Sequence, residues 1–410
     1  MCKKNLIAGQ SGGPTAVINS SLYGIVSEAR RHEDRIGKVY GMVNGIEGFL
    51  AGRTLDFDEA LPGDALEGLK ITPGAYLGSC RCKLPESLDD PMYPEIFRRF
   101  EEMNIGWFFY VGGNDSMDTV SKLSRYAEKI GSDIRVIGEP KTIDNDLVLT
   151  DHTPGYGSAA RYVAQTVREI VLDANVYEKP SVTILEIMGR HAGWLTAAGA
   201  LARKYKGDNP MLIYLPETAF DEEAFLQSVK NCLEKNCNVV VCVSEGIHDK
   251  EGTFICEYDS SVGTDNFGHK MLAGCGKYLE NLVRSRLNIK ARSVEFNVSQ
   301  RCSAAMLSAT DQAEAVMAGE FGVRAALDGV TGRMVSFVRK EDADGSVHME
   351  CGLEDVNDIC NKEKTVPAEW ITADGTDVTD DFIRYAAPLI QGVVTVPMGE
   401  DGLPLFVSRK

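Results

Sequence analysis

The chain has 410 residues, enough for two domains or for one domain elaborated on a large α/β core. Hydrophobic residues make up 44% and charged residues 25%, which excludes a disordered chain, and no apolar run approaches the length of a membrane span. With 43 Lys and Arg against 60 Asp and Glu the formal charge is −17, which disfavours nucleic acid as a partner and requires any anion site to be built locally from arginines, lysines and backbone N–H groups.

The apolar stretch Leu6-Ile7-Ala8 is too short for a signal-peptide core, and the 11 cysteines are an odd number without a Cys-x-x-Cys pair. Both features point to a reducing, cytoplasmic setting. Short runs rich in Val, Ile and Phe alternate with stretches of helical period, the pattern of a mainly parallel sheet with helices on its faces. The first run predicts a strand over Asn5–Ala8. It leads into Gly9-Gln10-Ser11-Gly12-Gly13-Pro14-Thr15 and a predicted helix over Thr15–Arg30, with Pro14 near its first turn. A helix start of this kind favours a phosphate; the plain alternative is a tight strand-to-helix connection, and the Gly-Lys-Ser/Thr ending of a P-loop is absent.

A helix over Pro94–Met103 and a strand over Trp107–Val111 follow, then Gly112-Gly113-Asn114-Asp115-Ser116 and a helix over Ser116–Ile130. The glycines let a polyphosphate approach the backbone and the polar side chains suit a metal or leaving group, unless Asp115 or Ser116 simply caps the helix. After a strand over Ile134–Ile137 comes Pro140-Lys141-Thr142-Ile143-Asp144-Asn145-Asp146. Here one carboxylate can take a proton from an attacking hydroxyl, the other can hold Mg2+, and the lysine can neutralise a transferring phosphoryl group.

A second lobe is expected to begin around Asp151–Gly157, followed by a helix over Ser158–Leu172 and a strand over Val182–Ile187. Met188-Gly189-Arg190-His191 then offers an arginine at a helix start for a substrate phosphate, with His191 read as a capping or packing residue. Strands over Met211–Tyr214 and Val239–Val243 flank a helix over Glu222–Leu233; Ser244-Glu245-Gly246 follows, then a helix over His269–Leu287 and the arginines Arg292 and Arg301. Glu245 can accept bonds from sugar hydroxyls, and each arginine taken singly can equally be a surface ion pair. The expected division is 1–150, 151–340 and an extension, 341–410, that packs back on the core.

In this order the loops resemble the phosphofructokinase family over roughly residues 4–340, most specifically through Thr142-Ile143-Asp144 and Met188-Gly189-Arg190 together. The resemblance implies two Rossmann-like lobes with the active site in the cleft, residues 1–150 binding the donor and 151–340 the sugar phosphate. It implies reversible, Mg2+-dependent phosphoryl transfer to the 1-hydroxyl of fructose 6-phosphate. By matching position, Asp144 would be the general base, with Lys141 and Arg81 at the transferring group and Gly12, Gly113, Asp115 and Lys141 around the donor. Thr142, Asp144, Met188, Gly189, Arg190, Glu245, Arg292 and Arg301 would bind substrate, and Asp146 with Asn114 the metal, although many relatives have Asp at the Asn114 position. Arg292 resembles an arginine that crosses from a neighbouring subunit, which implies a homodimer or homotetramer with shared sites.

ATP-using members similar to this chain keep glycines at the positions of Asp115 and Lys141. A carboxylate at the first would oppose the nucleotide's α-phosphate and a lysine at the second would attract a short diphosphate, so the pair implies diphosphate as donor. Two other readings stay open. One is an ATP-dependent phosphofructokinase in which both side chains swing away; the other is a non-catalytic regulatory subunit that senses sugar phosphate, against which the intact Asp144 and Asp146 stand.

Overall fold

This computed structural model describes residues 3–176, 178–258 and 274–409. Its strands are β1 (Lys4–Gln10), β2 (Ile36–Met42), β3 (Thr54–Asp56), β4 (Ile105–Gly112), β5 (Arg135–Pro140), β6 (Ser181–Ile187), β7 (Leu212–Tyr214), β8 (Asn238–Ser244), β9 (Lys290–Glu295), β10 (Arg333–Glu341) and β11 (Val347–Asp355). They form a seven-stranded sheet in the order β11-β10-β5-β4-β1-β2-β3 and a four-stranded sheet in the order β7-β8-β6-β9. Among the described strands only the β2–β3 and β10–β11 pairs, at the two edges of the larger sheet, are antiparallel. The fold is α/β with mainly parallel sheets. Its inner strands read as unbroken apolar runs because helices cover both faces: Leu6, Ile7, Phe108, Phe109, Val136 and Ile137 are all buried. Among the described residues no helix is long and apolar enough to cross a membrane.

The chain divides into two compact units, Met1–Ser158 with Arg301–Glu363 and Gln391–Lys410, and Ala159–Gln300 with Lys364–Ile390. This corrects the expected boundaries at 150 and 340. Residues after 300 return to the first unit because the Ala309–Leu327 helix packs on the Ile18–Arg31 helix, so closely that a Cβ on Gly24 would lie 2.2 Å from the Val316 carbonyl oxygen. β10 then joins β5 in parallel. The extension beyond 340 is not one body either. Residues 364–390 belong to the second unit, where Ile213 N–H donates to the Thr376 carbonyl at 2.7 Å and Arg203 holds Asp377 through two bonds of 2.9 Å. The chain end lies on the first unit, with Val407 N–H donating to Thr72 Oγ1 at 3.0 Å.

Two helix starts also differ from expectation. The first long helix begins at Ile18 with Val17 as an uncapped N-cap, so Pro14 precedes it and Gly12-Gly13 belong to a free-standing loop rather than a helix N-terminus. The second begins at Asn114 with Gly113 as N-cap, so neither Asp115 nor Ser116 is the cap. The Cys275–Leu287 helix agrees with the end of its predicted span, of which positions 269–273 lie outside the described residues.

Glu139, in β5, is fully buried, and neither carboxylate oxygen has a hydrogen-bond partner among the described residues. Burial therefore pushes its carboxyl well above the usual range, which favours the protonated form in the fold. An acid whose folded-state pKa is raised stabilises least at high pH: its cost is small below the unfolded value of about 4.3 and grows as pH rises above it. Glu139→Met, an apolar side chain flexible enough for the gap beside Gly322, should raise the unfolding free energy by about 1–3 kcal/mol at pH 8 and by less at pH 5. Urea titrations at both pH values test this, and an equal gain at both would contradict a proton-linked cost.

Candidate functional site

In the first unit three loops leave the carboxyl ends of neighbouring parallel strands, where open α/β sheets bind ligands. Gln10 of β1 pairs with Val111 of β4, and Gly112 of β4 with Pro140 of β5, so the loops after all three start side by side. Backbone bonds stitch them together: Ser11 N–H donates to Val111 O at 2.9 Å and Lys141 N–H to Gly112 O at 3.0 Å. The segment carrying Arg81 joins the group, because Gly12 N–H donates to Cys80 O at 3.3 Å and the Ser79 hydroxyl to Gly12 O at 2.6 Å. A buried pair beneath supports this segment. Gln10 Nε2 donates to Asn19 Oδ1 at 2.9 Å, and the two side chains together accept from Leu77 and Tyr76 N–H.

The loop after β5 alternates in exposure: Thr142, Asp144 and Asp146 are half-buried, whereas Lys141, Ile143, Asn145 and Leu147 are buried. The three polar side chains expected to serve substrate and metal are thus ones with solvent access. Asp144 N–H donates to Thr142 Oγ1 at 3.1 Å, and that hydroxyl lies 3.4 Å from Asp144 Oδ2. Asn145 takes the left-handed conformation that this tight turn demands, with φ of 56°.

Lys141 is buried, and its ammonium donates to the Gly13 carbonyl at 2.5 Å. A Cβ on Gly12 would lie 3.4 Å from Lys141 Nζ, and one on Gly13 would lie 2.8 Å from Arg301 Nη1. Lys141 and Arg301 therefore converge on the glycine turn from different parts of the sequence. Burial pushes the Lys141 ammonium down to about 8, while Asp144 and Asp146 pull it up and Arg301 and Arg81 push it down. In a chain of charge −17, such a local gathering of cations is what an anion site would need.

Gly113 and Asp115 flank this group at the start of the Asn114–Ile130 helix. Asp115 is mostly exposed and pairs with Lys83 at 3.3 Å, a partner that single-residue reasoning missed although Lys83 lies only two residues after Arg81. The Asn114 amide bridges the backbone of the excursion after β11: it donates to Lys362 O and accepts from Asn361 N–H. Asp144 and Asp146 supply two hard carboxylate oxygens, a donor set that suits Mg2+ shared with diphosphate oxygens. Among the described residues no cluster of three or more His, Cys, Asp or Glu is placed to hold a metal, so the protein would furnish only part of such a shell.

In the second unit, Ile187 of β6 pairs with Ser244 of β8, so the loops Met188–Gly193 and Ser244–Gly246 leave neighbouring strand ends. Gly189 N–H faces Glu245 Oε1 at 3.4 Å, Met188 N–H faces Gln300 Oε1 at 3.3 Å, and the Ser244 hydroxyl donates to Gly189 O. Glycine is required twice here: Gly189 has φ of +143°, and a Cβ on Gly246 would lie 1.9 Å from Arg190 O. Met188, Gly189, Arg190 and Glu245 are thus brought together. The helix expected at Arg190 starts instead at Trp194. Arg292 stands apart, opposite Thr183 on β9, four residues short of the strand end that carries Met188, and it meets Asp173 at 3.3 Å.

Sequence reasoning also missed Thr153. Its hydroxyl donates to the Thr142 carbonyl at 2.8 Å from a segment expected to be a lobe boundary. The available signal was the run Thr150-Asp151-His152-Thr153, whose polar side chains are too dense for a linker.

The sequence profile described as Phosphofructokinase matches residues 5–327. The chain is 40% identical over 407 residues to a pyrophosphate--fructose 6-phosphate 1-phosphotransferase of Halomonas elongata, covering 98% of this chain and 96% of the relative. A protein of the same description from Xanthomonas campestris is 40% identical over 413 residues, with coverage of 100% and 97%. Among solved structures, a pyrophosphate-dependent phosphofructokinase from Marinobacter aquaeolei is similar with a TM-score of 0.89 and 37% identity, covering 99% of this chain and 96% of that one. With the profile matched from β1 to the helix before β10, and with relatives alike in sequence and fold over nearly their whole lengths, the chain belongs to the phosphofructokinase family.

Proposed function

We propose that this chain is a diphosphate-dependent 6-phosphofructokinase, transferring a phosphoryl group reversibly from diphosphate to the 1-hydroxyl of fructose 6-phosphate. The observation that carries the donor is the buried Lys141 ammonium, 2.5 Å from the carbonyl of the Gly12-Gly13 turn, with Arg301 beside it. A compact polyanion without a nucleoside needs such charge, because it has no base or ribose through which to gain affinity. The names of the full-length relatives point the same way.

In the forward direction Asp144 takes the proton of the 1-hydroxyl as that oxygen bonds to phosphorus and the bridging P–O bond of diphosphate breaks, releasing phosphate. Lys141 and Arg81 stabilise the charge on the transferring group and on the leaving phosphate. Asp146 would hold Mg2+, which when bound offsets the charge of the diphosphate. Met188, Gly189, Arg190 and Glu245 would hold the sugar phosphate, and Arg292, placed away from them in its own chain, suits a role across an interface in a homo-oligomer. The buried thiols Cys80, Cys242 and Cys275 are in keeping with a cytoplasmic setting.

The test is the rate of fructose 1,6-bisphosphate formation from fructose 6-phosphate and Mg2+ with diphosphate or ATP at matched concentration. Strong preference for diphosphate is expected. Preference for ATP would overturn the donor assignment while keeping the family, and no turnover with either would favour a sugar-phosphate sensor.

A further inference from the structure

The segment that follows the Asp144 loop is built unlike a linker. Thr150, His152, Thr153 and Ser158 are all buried. His152 lies between two carboxylates, with Nδ1 2.9 Å from Asp151 Oδ1 and Nε2 2.7 Å from Glu314 Oε2 of the Ala309–Leu327 helix, and its ring stacks on Phe337 of β10 at 5.0 Å. Arg339, also on β10, grips Asp151 through bonds of 2.8 and 2.9 Å. The backbone is fastened too: Asp151 N–H donates to Phe337 O at 2.9 Å, and Phe337 N–H donates to Thr150 Oγ1 at 2.9 Å. Further along, Gly155 and Ser158 N–H donate to the buried Asp311 carboxylate at 2.8 and 2.9 Å.

Burial alone would push the His152 imidazole down, but Glu314 and Asp151 outweigh it and push the group up to about 9. Both ring nitrogens therefore carry protons at neutral pH, each donated to a carboxylate. The strap is tied to the helix by the charged bond from the imidazolium to Glu314, and to β10 by the grip of Arg339 on Asp151. From this fixed strap the Thr153 hydroxyl reaches back 2.8 Å to the Thr142 carbonyl, and Gly155 forms an isolated parallel bridge with Thr142.

We propose that Thr153 is a positioning residue for the phosphoryl transfer, its hydroxyl fixing the Thr142 carbonyl and so aiming Asp144, and that His152 anchors the strap from which it does so. This inference rests on the assignment of Asp144 as general base. The geometry gives a histidine salt cluster beside this loop a use: the half-buried Asp144 is bonded to the Thr142 hydroxyl, and the carbonyl of that same Thr142 is held by Thr153 from the strap. A general base displaced by about 1 Å loses on the order of 10²-fold in rate while the substrates still bind.

The experiment compares purified full-length Thr153→Val, Thr153→Ser, His152→Gln and Asp144→Ser in steady-state kinetics with diphosphate and fructose 6-phosphate, with thermal unfolding of each. Thr153→Val keeps shape and removes the hydroxyl; it should lower kcat by about 10- to 100-fold with both KM values within about threefold. Thr153→Ser, which restores the hydroxyl, should recover most of that loss. His152→Gln should act in the same direction, and adding Thr153→Val to it should lower kcat little further, because the two act in series. Full activity in Thr153→Val while Asp144→Ser is inactive would overturn the positioning role and leave the base assignment standing. Full activity in Asp144→Ser would overturn the base assignment itself. Should Thr153→Val fail to fold, the serine and glutamine variants decide: an inactive but folded Thr153→Ser, or a fully active His152→Gln, counts against the proposal.

Discussion

Asp144→Ser is expected to lower kcat by about 10²- to 10⁴-fold while the KM for fructose 6-phosphate stays within about threefold. The wide gap between the two effects follows from how the loop is built. Asp144 contributes its N–H to the Thr142 hydroxyl, a backbone bond that serine retains. The turn is also held by Asn145 in its left-handed conformation and by the Thr153 bond to the Thr142 carbonyl, neither of which uses the Asp144 side chain. What serine removes is the acceptor that takes the hydroxyl proton, a group needed when the oxygen attacks and not when the sugar binds. Of the groups assigned to the sugar phosphate, Met188, Gly189 and Glu245 are held by bonds within their own unit. Turnover within tenfold of the parent, with unchanged thermal stability, would remove Asp144 from the chemistry.

Sequence periodicity locates the sheet well because parallel inner strands are buried on both faces and leave continuous apolar runs: β1, β4, β5, β6, β7 and β8 all lie on predicted strands. It misses β2, β3, β9, β10 and β11, for the same physical reason. Ile36–Met42 carries Gly37 and exposed Lys38, and Lys290–Glu295 and Val347–Asp355 alternate or mix charge with apolar residues, so edge-type exposure dilutes the signal. Domain boundaries were the least legible feature. Nothing local in Ala309–Leu327 says that it packs on a helix some 290 residues earlier in the chain; the pairing depends on Gly24 and Gly319 letting two backbones meet. The candidate site was readable where chemistry and turn propensity coincide, as in Pro140–Asp146 and Gly112–Ser116. It was unreadable where a residue works through a backbone atom, as Thr153 does, or through a distant partner, as Arg301 does at Gly13 and Lys83 at Asp115.

The double change Asp115→Gly and Lys141→Gly is expected to lower kcat/KM for diphosphate by about 10²- to 10³-fold and to raise the ratio of ATP to diphosphate use by at least as much. The two positions act differently, and the single variants separate them. Asp115 is mostly exposed and paired only loosely with Lys83, so Asp115→Gly removes a carboxylate near the incoming phosphates at little cost to the fold, and its main effect should be on ATP. Lys141 is buried against the Gly12-Gly13 turn, so Lys141→Gly both frees volume there and deletes the cation, and its main effect should be on diphosphate. The pH dependence identifies the cation directly. With its ammonium pushed down to about 8 by burial, Lys141 loses its proton as pH rises through that value, so the parent's kcat/KM for diphosphate should fall on the alkaline side of pH 8. The Lys141→Gly variant should lack that limb. Diphosphate use that is undiminished in the double variant, or an alkaline limb that survives the loss of Lys141, would mean that the donor is chosen elsewhere. The remaining candidates would then be Arg81 and Arg301, cations that also lie near Lys141 or the glycine turn.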